Sequence, residues 1–391
     1  MAIDLRKECK YRGLKGYGLK KADLVKLLLN SSSILKEPEF VLQPMITYIG
    51  NKRKLVPWII KTIQDEIGCD LKILDAFAGS GVVSRALMSV CSELHTNDME
   101  YYSYVLLRCF LETPTSEQME RISKHFDSIL KFPAETGYIS LHYSPKNTNE
   151  PLDGERCFYT RENAIIIDTF MKYIFQVEPD IRHYLLGPLL IKASINVNTA
   201  GVFRGFYKKD GIGHFGGVGE NALERILAPI QLEMPIWSKS TCKTVCHNSD
   251  INELILSDET FDLIYLDPPY NEHPYGSNYF MLNVIALNQE PTNCSKISGI
   301  PKNWNKSVFN GRNSAHDSMV SLLENCLKKA RYVLISYNNE GLVTDWGSIF
   351  EGLNGVTVKK FEKEYDTYHG ARNLSARNKT VVEIMYLIKK I

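Results

Sequence analysis

Apolar residues follow a helical period in some segments of the chain and form short continuous runs in others. Leu55, Ile59 and Ile63 recur every four residues, which predicts a helix with one buried face. Residues 72–77 follow with an apolar run that predicts a buried strand. Because helix and strand patterns alternate here, the sequence predicts that an α/β sheet begins in this segment.

Strand patterns return after residue 240. They lie at residues 244–247, 261–266, 332–336 and 381–388. The intervening residues 110–240 are helix-rich, with a helix predicted at 165–177 and a polar, glycine-rich stretch at 201–219. We therefore interpret residues 110–240 as an insertion into the sheet domain.

The first 33 residues predict a small helix–loop–helix module. Leucines at helical spacings flank a glycine-rich break at 13–18, and three serines at 31–33 are typical of a linker. Basic residues outnumber acidic ones in this module, although the whole chain has 46 Lys and Arg against 45 Asp and Glu. The net charge of +1 thus gives no sign of a polyanionic partner, whereas the amino-terminal module is locally basic.

The composition is that of an ordinary globular protein and excludes disorder and collagen-like fibre. Of the 391 residues, 44% are hydrophobic and 23% are charged. No apolar run approaches the roughly 20 residues that span a bilayer, so we expect an intracellular protein without a membrane segment. The nine cysteines include no CxxC pair, and His273, His316 and His369 are isolated. We therefore expect reduced cysteines and no metal site.

The segment from Asp75 to Gly81 is a candidate cofactor turn. It follows a predicted strand, precedes an apolar helix pattern and contains Gly79 and Gly81, which allow a ligand to approach the backbone. Asp98 lies 23 positions after Asp75, near the spacing at which a carboxylate reaches ribose hydroxyls. A tight turn without a ligand also uses glycine, and that alternative stays open.

The charge of this turn bears on the type of cofactor. An acid at the strand end would repel a pyrophosphate, and the third glycine of a dinucleotide turn is missing. S-adenosylmethionine instead carries a cationic sulfonium and an ammonium group, which a carboxylate at Asp75 attracts. The residues therefore favour S-adenosylmethionine.

The tetrapeptide Asp267-Pro268-Pro269-Tyr270 at the end of strand pattern 261–266 is the most informative segment. Its prolines cannot continue a strand, so the segment could simply end one. Its chemistry also suits methylation of an aryl amine, whose N–H groups would donate to the Asp267 carboxylate and the Pro268 carbonyl. Tyr270 would stack on the ring of a base extruded from a duplex.

These two motifs resemble those of the Dam-like, alpha-group S-adenosylmethionine-dependent DNA adenine-N6 methyltransferases, including the long insertion between them. Residues 48–52 are similar to the first motif of that group, with Tyr48 in place of the usual Trp and Asn51 in place of a second Gly. Residues 248–250 resemble the acidic segment that borders the cofactor's adenine ring.

The resemblance implies a Rossmann-like methyltransferase fold with a mostly parallel seven-stranded sheet. It implies S-adenosylmethionine as cofactor, S-adenosylhomocysteine as product, and no metal. The catalytic residues it implies are Asp267, Pro268, Pro269 and Tyr270. The cofactor-binding residues it implies are Tyr48, Gly50, Lys52, Asp75, Phe77, Gly79, Gly81, Asp98 and Asp250.

The resemblance also divides the chain. Residues 44–109 and 241–391 would form the catalytic domain, and residues 110–240 the target-recognition insertion. Residues 1–33 are similar to the SAP helix–loop–helix DNA-binding motif, the alternative being a solvated amphipathic appendage.

Within the insertion, residues 203–209 interleave aromatic and basic side chains. We expect Arg204, Lys208 and Lys209 to contact DNA, with an aromatic of this segment entering the base stack. A surface hairpin with its aromatics in the core is the alternative.

The sequence therefore predicts a site-specific enzyme that methylates adenine N6 in double-stranded DNA, as the modification enzyme of a type II restriction-modification system. Methylation of cytosine N4 and a non-catalytic DNA-binding role are the alternatives. A cognate restriction endonuclease would act in the same system without a stable complex, and we expect a monomer or weak dimer. Asp75, Asp98, Asp250 and Asp267 should surround one cavity at the carboxyl edge of the sheet.

Overall fold

The computed structural model describes residues 35–366 and 380–391. The predicted amino-terminal module at 1–33 lies outside the described residues. The strands are β1 Leu71–Asp75, β2 Cys91–Asn97, β3 Lys208–Lys209, β4 Ile212–Gly213, β5 Lys243–His247, β6 Phe261–Leu266, β7 Ala330–Asn338, β8 Val356–Asp366 and β9 Thr380–Lys390.

The α-helices of the described residues pack on this framework. They are α1 Pro38–Val41, α2 Val56–Glu66, α3 Val82–Leu87, α4 Tyr101–Leu111, α5 Ser116–Ile129, α6 Tyr138–His142, α7 Arg161–Ile174, α8 Arg182–Ile195, α9 Leu223–Leu227, α10 Ile251–Leu254, α11 Tyr275–Asn278, α12 Phe280–Leu287, α13 Ala315–Lys329 and α14 Trp346–Gly352. None of these helices is long and apolar enough to cross a membrane.

Seven strands form one sheet in the order β5-β2-β1-β6-β7-β9-β8. The five strands from β5 to β7 are parallel, while β9 is antiparallel to both β7 and β8. The prediction of a mostly parallel seven-stranded sheet is therefore confirmed.

The central strands β1, β6 and β7 are mostly buried, which explains their continuous apolar runs. Successive side chains of β6 alternate between the two faces. Leu263 and Tyr265 pack in the apolar cluster that contains α2, whereas Ile264 and Leu266 pack in the cluster that contains α13. Because β6 lies between β1 and β7, the residues that follow Leu266 emerge near the middle of the sheet's carboxyl edge.

The segment 110–240 is mainly helical and packs against the helices that flank the sheet. Helices α4, α7, α8 and α12 share one apolar cluster. Gly187 lets α8 approach α4 closely, since a Cβ at that position would lie 2.7 Å from Cys109 Cβ. The segment 110–240 and the helices that flank the sheet thus share a continuous core.

The observed elements follow the predicted ones with shifts at their ends. The helix predicted at 165–177 begins earlier, at Arg161, because the Thr160 side chain accepts a hydrogen bond from the Asn163 backbone N–H and caps it. Strand β8 was not predicted. Its residues are mostly charged and lie at the exposed edge of the sheet, so they lack an apolar run.

Candidate active site

A cavity of about 940 Å³, which includes its open mouth, lies at the carboxyl ends of β1, β2 and β6. Ligands of open α/β sheets bind at this edge. The four acids expected there line this one cavity: Asp75, Asp98, Asp250 and Asp267. All the residues assigned to cofactor binding also line it, except Gly81.

Gly81 instead caps the amino terminus of α3. It adopts φ +74°, in the left-handed region that favours glycine. A Cβ there would lie 3.2 Å from Leu107 Cδ2. Its structural role is therefore in the turn and in helix packing, outside the cavity lining.

Asp75 ends β1 and is fully buried. Its Oδ2 accepts a 2.5 Å hydrogen bond from Ser84 Oγ, while Oδ1 has no hydrogen-bond partner within the described part of the chain. Burial raises the pKa of Asp75 to about 7, although the Ser84 bond opposes that rise. A cation beside Oδ1 would favour the ionised form.

The glycine turn holds Asp98 through backbone hydrogen bonds. Gly79 N–H donates to Asp98 Oδ2 and Glu100 N–H donates to Oδ1, each at 2.8 Å. Burial nevertheless raises the pKa of Asp98. Gly79 has φ +53°, and a Cβ there would lie 2.8 Å from the Tyr48 ring, so this position has no space for a side chain.

Tyr48 forms an aromatic wall of the cavity. Its ring stacks on Tyr275 at 4.8 Å and on Tyr279 at 5.0 Å between centroids. The Tyr279 hydroxyl accepts from Ile49 N–H at 2.8 Å, and the Tyr275 hydroxyl donates to Ile49 O at 3.1 Å. These bonds, together with Gly50 at φ +75°, fix the first motif over the sheet edge.

Lys52 connects this motif to the tetrapeptide. Its Nζ lies 2.9 Å from Asp267 Oδ1 and 3.1 Å from Glu383 Oε1, and it donates to the Tyr270 hydroxyl. The Tyr270 hydroxyl also contacts Asp267 Oδ1. Burial raises the pKa of Asp267, Lys52 opposes that rise and Glu383 adds to it.

Sequence reasoning missed Glu383, which lies on β9 and is fully buried. Its sequence context was informative, because one acid interrupts the otherwise apolar run of residues 381–388. A buried carboxylate in such a strand requires a partner. Its partners include the Lys52 ammonium, the Tyr270 hydroxyl and Ser336 Oγ, which donates to Glu383 Oε1 at 2.6 Å.

A second wall of the cavity was also missed. Phe309 meets Phe77 edge-on at 5.3 Å, and Asn310 Nδ2 donates to Asn271 O at 2.6 Å. Glu100 lines the same cavity, and burial raises its pKa to about 8. The residues around 305–310 follow no periodic pattern, so the sequence carried no indication of this wall.

The predicted DNA-contacting residues lie on or beside the β3–β4 hairpin. Arg204, Lys208 and Lys209 are exposed, and Arg204 Nη1 lies 3.1 Å from His273 Nδ1 in the loop after the tetrapeptide. Phe203, however, is only 1% exposed and belongs to the core. That aromatic is therefore not available to enter a base stack.

Fold and cavity together define a class of protein, an α/β protein with a ligand site at the carboxyl edge of a mostly parallel sheet. Within that class, the D12 class N6 adenine-specific DNA methyltransferase family matches residues 48–346. The chain belongs to this family. Membership implies use of S-adenosylmethionine and action on DNA.

Three curated relatives agree with this assignment. The type II methyltransferase M.NlaIII of Neisseria lactamica is 28% identical over 88% of this chain and 99% of its own length. The type II methyltransferase M.CviAII of Paramecium bursaria Chlorella virus 1 is 32% identical over 76% of this chain and 85% of its own. The modification methylase StsI of Streptococcus sanguinis is 26% identical over 88% of this chain and 52% of its own.

Proposed function

We propose that the protein transfers a methyl group to adenine N6 at a short recognition sequence in double-stranded DNA. The observation that carries this proposal is the junction of Lys52, Asp267 and Tyr270 beside the Asp75 turn in one cavity. One half of that cavity suits a cationic cofactor, and the other half offers acceptors for an aryl amine.

The cavity residues fit S-adenosylmethionine. Asp75 Oδ1 is a buried acceptor without a described partner, which an ammonium group would satisfy. Asp98, which the Gly79 N–H holds in place, would accept from ribose hydroxyls. When bound, this cofactor presents a methyl group on a cationic sulfur that takes the electron pair of the broken C–S bond.

Asp267 and Pro268 would orient the amine. Their carboxylate and carbonyl accept its two N–H bonds, so the nitrogen lone pair turns toward the methyl carbon and forms the N–C bond. The proton that the amine then sheds passes to the Asp267 carboxylate and on to solvent. Tyr270 would hold the ring of the flipped base.

Finer features of the proposal concern the context of the reaction. The motif order supports the Dam-like alpha group, and the named relatives support the modification half of a type II restriction-modification system. We propose that residues 110–240 read the target and that the SAP-like module at 1–33 tethers the enzyme to phosphates. Arg204, Lys208 and Lys209 would contact the DNA backbone near the cavity.

The test incubates the purified protein and S-adenosylmethionine with unmethylated genomic DNA and reads modified bases by single-molecule sequencing. We expect N6-methyladenine at one short motif. N4-methylcytosine would overturn the choice of base, and no modified base with intact cofactor binding would favour a binding role.

Substitution of Asp267 tests the catalytic assignment. Asp267→Ala should abolish methylation while cofactor affinity, measured by calorimetry, stays within about threefold, because the amine loses its acceptor in the transition state. Asp168→Asn is the matched control, since it removes a buried carboxylate of α7 that does not line the cavity. Methylation by Asp267→Ala at the wild-type rate would contradict the assignment.

A further inference from the structure

Glu383 lies behind the tetrapeptide, on a strand far away in sequence. Its side chain is fully buried between β7 and the cavity, whereas the Asp267 side chain is 17% exposed. A buried carboxylate costs free energy unless it is paired and hydrogen-bonded, and an apolar residue at such a position is often as stable. The local sequence of β9 thus gives no reason for an acid, and the reason must lie in its contacts.

Three of those contacts share one oxygen. Glu383 Oε1 accepts from Ser336 Oγ at 2.6 Å, lies 3.1 Å from Lys52 Nζ and lies 3.1 Å from the Tyr270 hydroxyl. Both Lys52 and Tyr270 also contact Asp267. Glu383 is therefore linked to Asp267 through one intervening residue, by way of either Lys52 or Tyr270.

Lys52 lies at the centre of this arrangement. An ammonium group has three N–H donors. Lys52 contacts the Asp267 carboxylate, the Glu383 carboxylate and the Tyr270 hydroxyl. With Glu383 as an anchor on the far side, the lysine cannot rotate away from Asp267 without breaking a buried ion pair.

The anchoring also selects one oxygen of Asp267. Within the described ranges, the contacts from Lys52 and Tyr270 go to Oδ1. These contacts hold Oδ1 toward Lys52 and Tyr270, so Oδ2 is the oxygen placed to accept an N–H from a ligand in the cavity.

We propose that Glu383 is a positioning residue, which holds Lys52 and Tyr270 so that the Asp267 carboxylate presents Oδ2 to the target amine. The inference rests on the proposed function, in which Asp267 accepts that amine. Glu383 itself does not touch the reacting atoms.

Because Glu383 is charged, its removal should change the pH dependence of methyl transfer, which the loss of a purely structural acid would not do. Lys52 lowers the pKa of Asp267 and Glu383 raises it. Among the described residues, the Asp267 charge also acts on Asp75, Tyr265, Tyr270 and Tyr275. Removing the Glu383 charge while Lys52 stays in place must therefore lower the pKa of Asp267.

The experiment compares wild type, Glu383→Gln and Lys52→Met in single-turnover methylation of a duplex that contains the recognition motif, from pH 5 to 9. Glu383→Gln should slow methyl transfer about 10- to 100-fold, the order expected for a misplaced catalytic group. The acidic limb of its pH–rate profile should move to lower pH. The acidic limb of the Lys52→Met profile should move to higher pH. Cofactor affinity of Glu383→Gln should stay within about threefold, because Glu383 does not line the cavity.

Two further variants control for folding. Asp168→Asn removes another buried carboxylate and should leave the acidic limb where it is. If Glu383→Gln does not fold, Ser336→Ala removes one donor to Glu383 and should slow methyl transfer by a smaller factor.

The outcomes separate the two proposals. A wild-type rate and an unmoved acidic limb in Glu383→Gln, or in Ser336→Ala if only that variant folds, would overturn the positioning role and leave the proposed function intact. Wild-type protein that forms no N6-methyladenine would overturn the proposed function and this inference together.

Discussion

At the scale of single residues, Asp75 shows how burial and ligand binding oppose each other. Its pKa of about 7 lies well above the ordinary 3.8, so the folded protein disfavours its ionised form. A carboxyl group with a raised folded pKa lowers stability progressively as pH rises from its unfolded to its folded pKa. The destabilisation is complete above about pH 7, where the proposed cofactor most needs the charge.

This balance predicts a pH-dependent affinity for S-adenosylmethionine. Affinity measured by calorimetry should weaken about fivefold between pH 7 and 6, because Asp75 takes up a proton there. Asp75→Asn should flatten this dependence. In Ser84→Ala, affinity should begin to weaken at a higher pH, since the Ser84 hydrogen bond lowers the pKa of Asp75. A wild-type affinity that is constant over this range would contradict the role given to Asp75.

The unliganded Asp75→Asn protein should also be more stable than wild type at pH 8. The expected gain in the free energy of unfolding is about 1 to 4 kcal/mol. Its upper bound corresponds to the full rise of the Asp75 pKa from 3.8 to about 7. Thermal unfolding at pH 8 and at pH 4 measures it, and the gain should shrink at the lower pH. A gain of equal size at both pH values would show that the carboxylate charge is not its cause.

At the scale of elements, the strand–turn–helix unit from β1 to α3 positions the cofactor half of the cavity. Two of its glycines have positive φ but different surroundings, and only Gly79 lines the cavity. Gly79→Ala should weaken cofactor affinity about tenfold or more, since a Cβ collides with the Tyr48 ring and strains a left-handed backbone. Gly81→Ala introduces comparable backbone strain outside the cavity and is the matched control. Equal losses of affinity in both variants would show that strain alone explains the effect.

The β3–β4 hairpin is the element proposed to contact DNA. The affinity for DNA falls as salt rises, because each phosphate contact releases about one counterion. Replacement of Arg204, Lys208 and Lys209 by Gln should make the negative slope of log affinity against log salt shallower by about 2 to 3. Replacement of the exposed Lys328, Lys389 and Lys390 by Gln, all outside residues 110–240, is the control and should leave the slope unchanged. Fluorescence anisotropy with a labelled duplex at several salt concentrations measures both. A hairpin variant with the wild-type slope would contradict the proposed interface.

At the scale of the whole molecule, the sheet order explains why distant segments share one site. β6 carries the tetrapeptide at the middle of the sheet, β1 lies on one side and β7 with β9 on the other. The first motif, at residues 48–52, reaches across this edge to Asp267 and Glu383. A cavity with a cofactor half and a substrate half thus results from strand order as much as from local sequence.

By itself, the sequence determined the elements and motifs whose evidence is local. Helical period and apolar runs predicted α7 and β6. The residue types at 75–81 and 267–270 predicted a cofactor turn and a catalytic tetrapeptide, because the conformation of a glycine turn or a proline pair is set by adjacent residues. The four acids of the cavity were predictable for the same reason, since parallel strands end at one edge.

Only the tertiary structure decided which distant side chains meet. Glu383, Phe309 and Asn310 carry no local pattern that specifies their partners, and Gly81 was separated from Gly79 only by what surrounds each of them. The burial of Phe203 likewise depends on helices more than a hundred residues apart in the chain. Contacts of this kind follow from packing of the whole chain, because the free energy of a buried charge or ring is set by neighbours that sequence spacing does not encode.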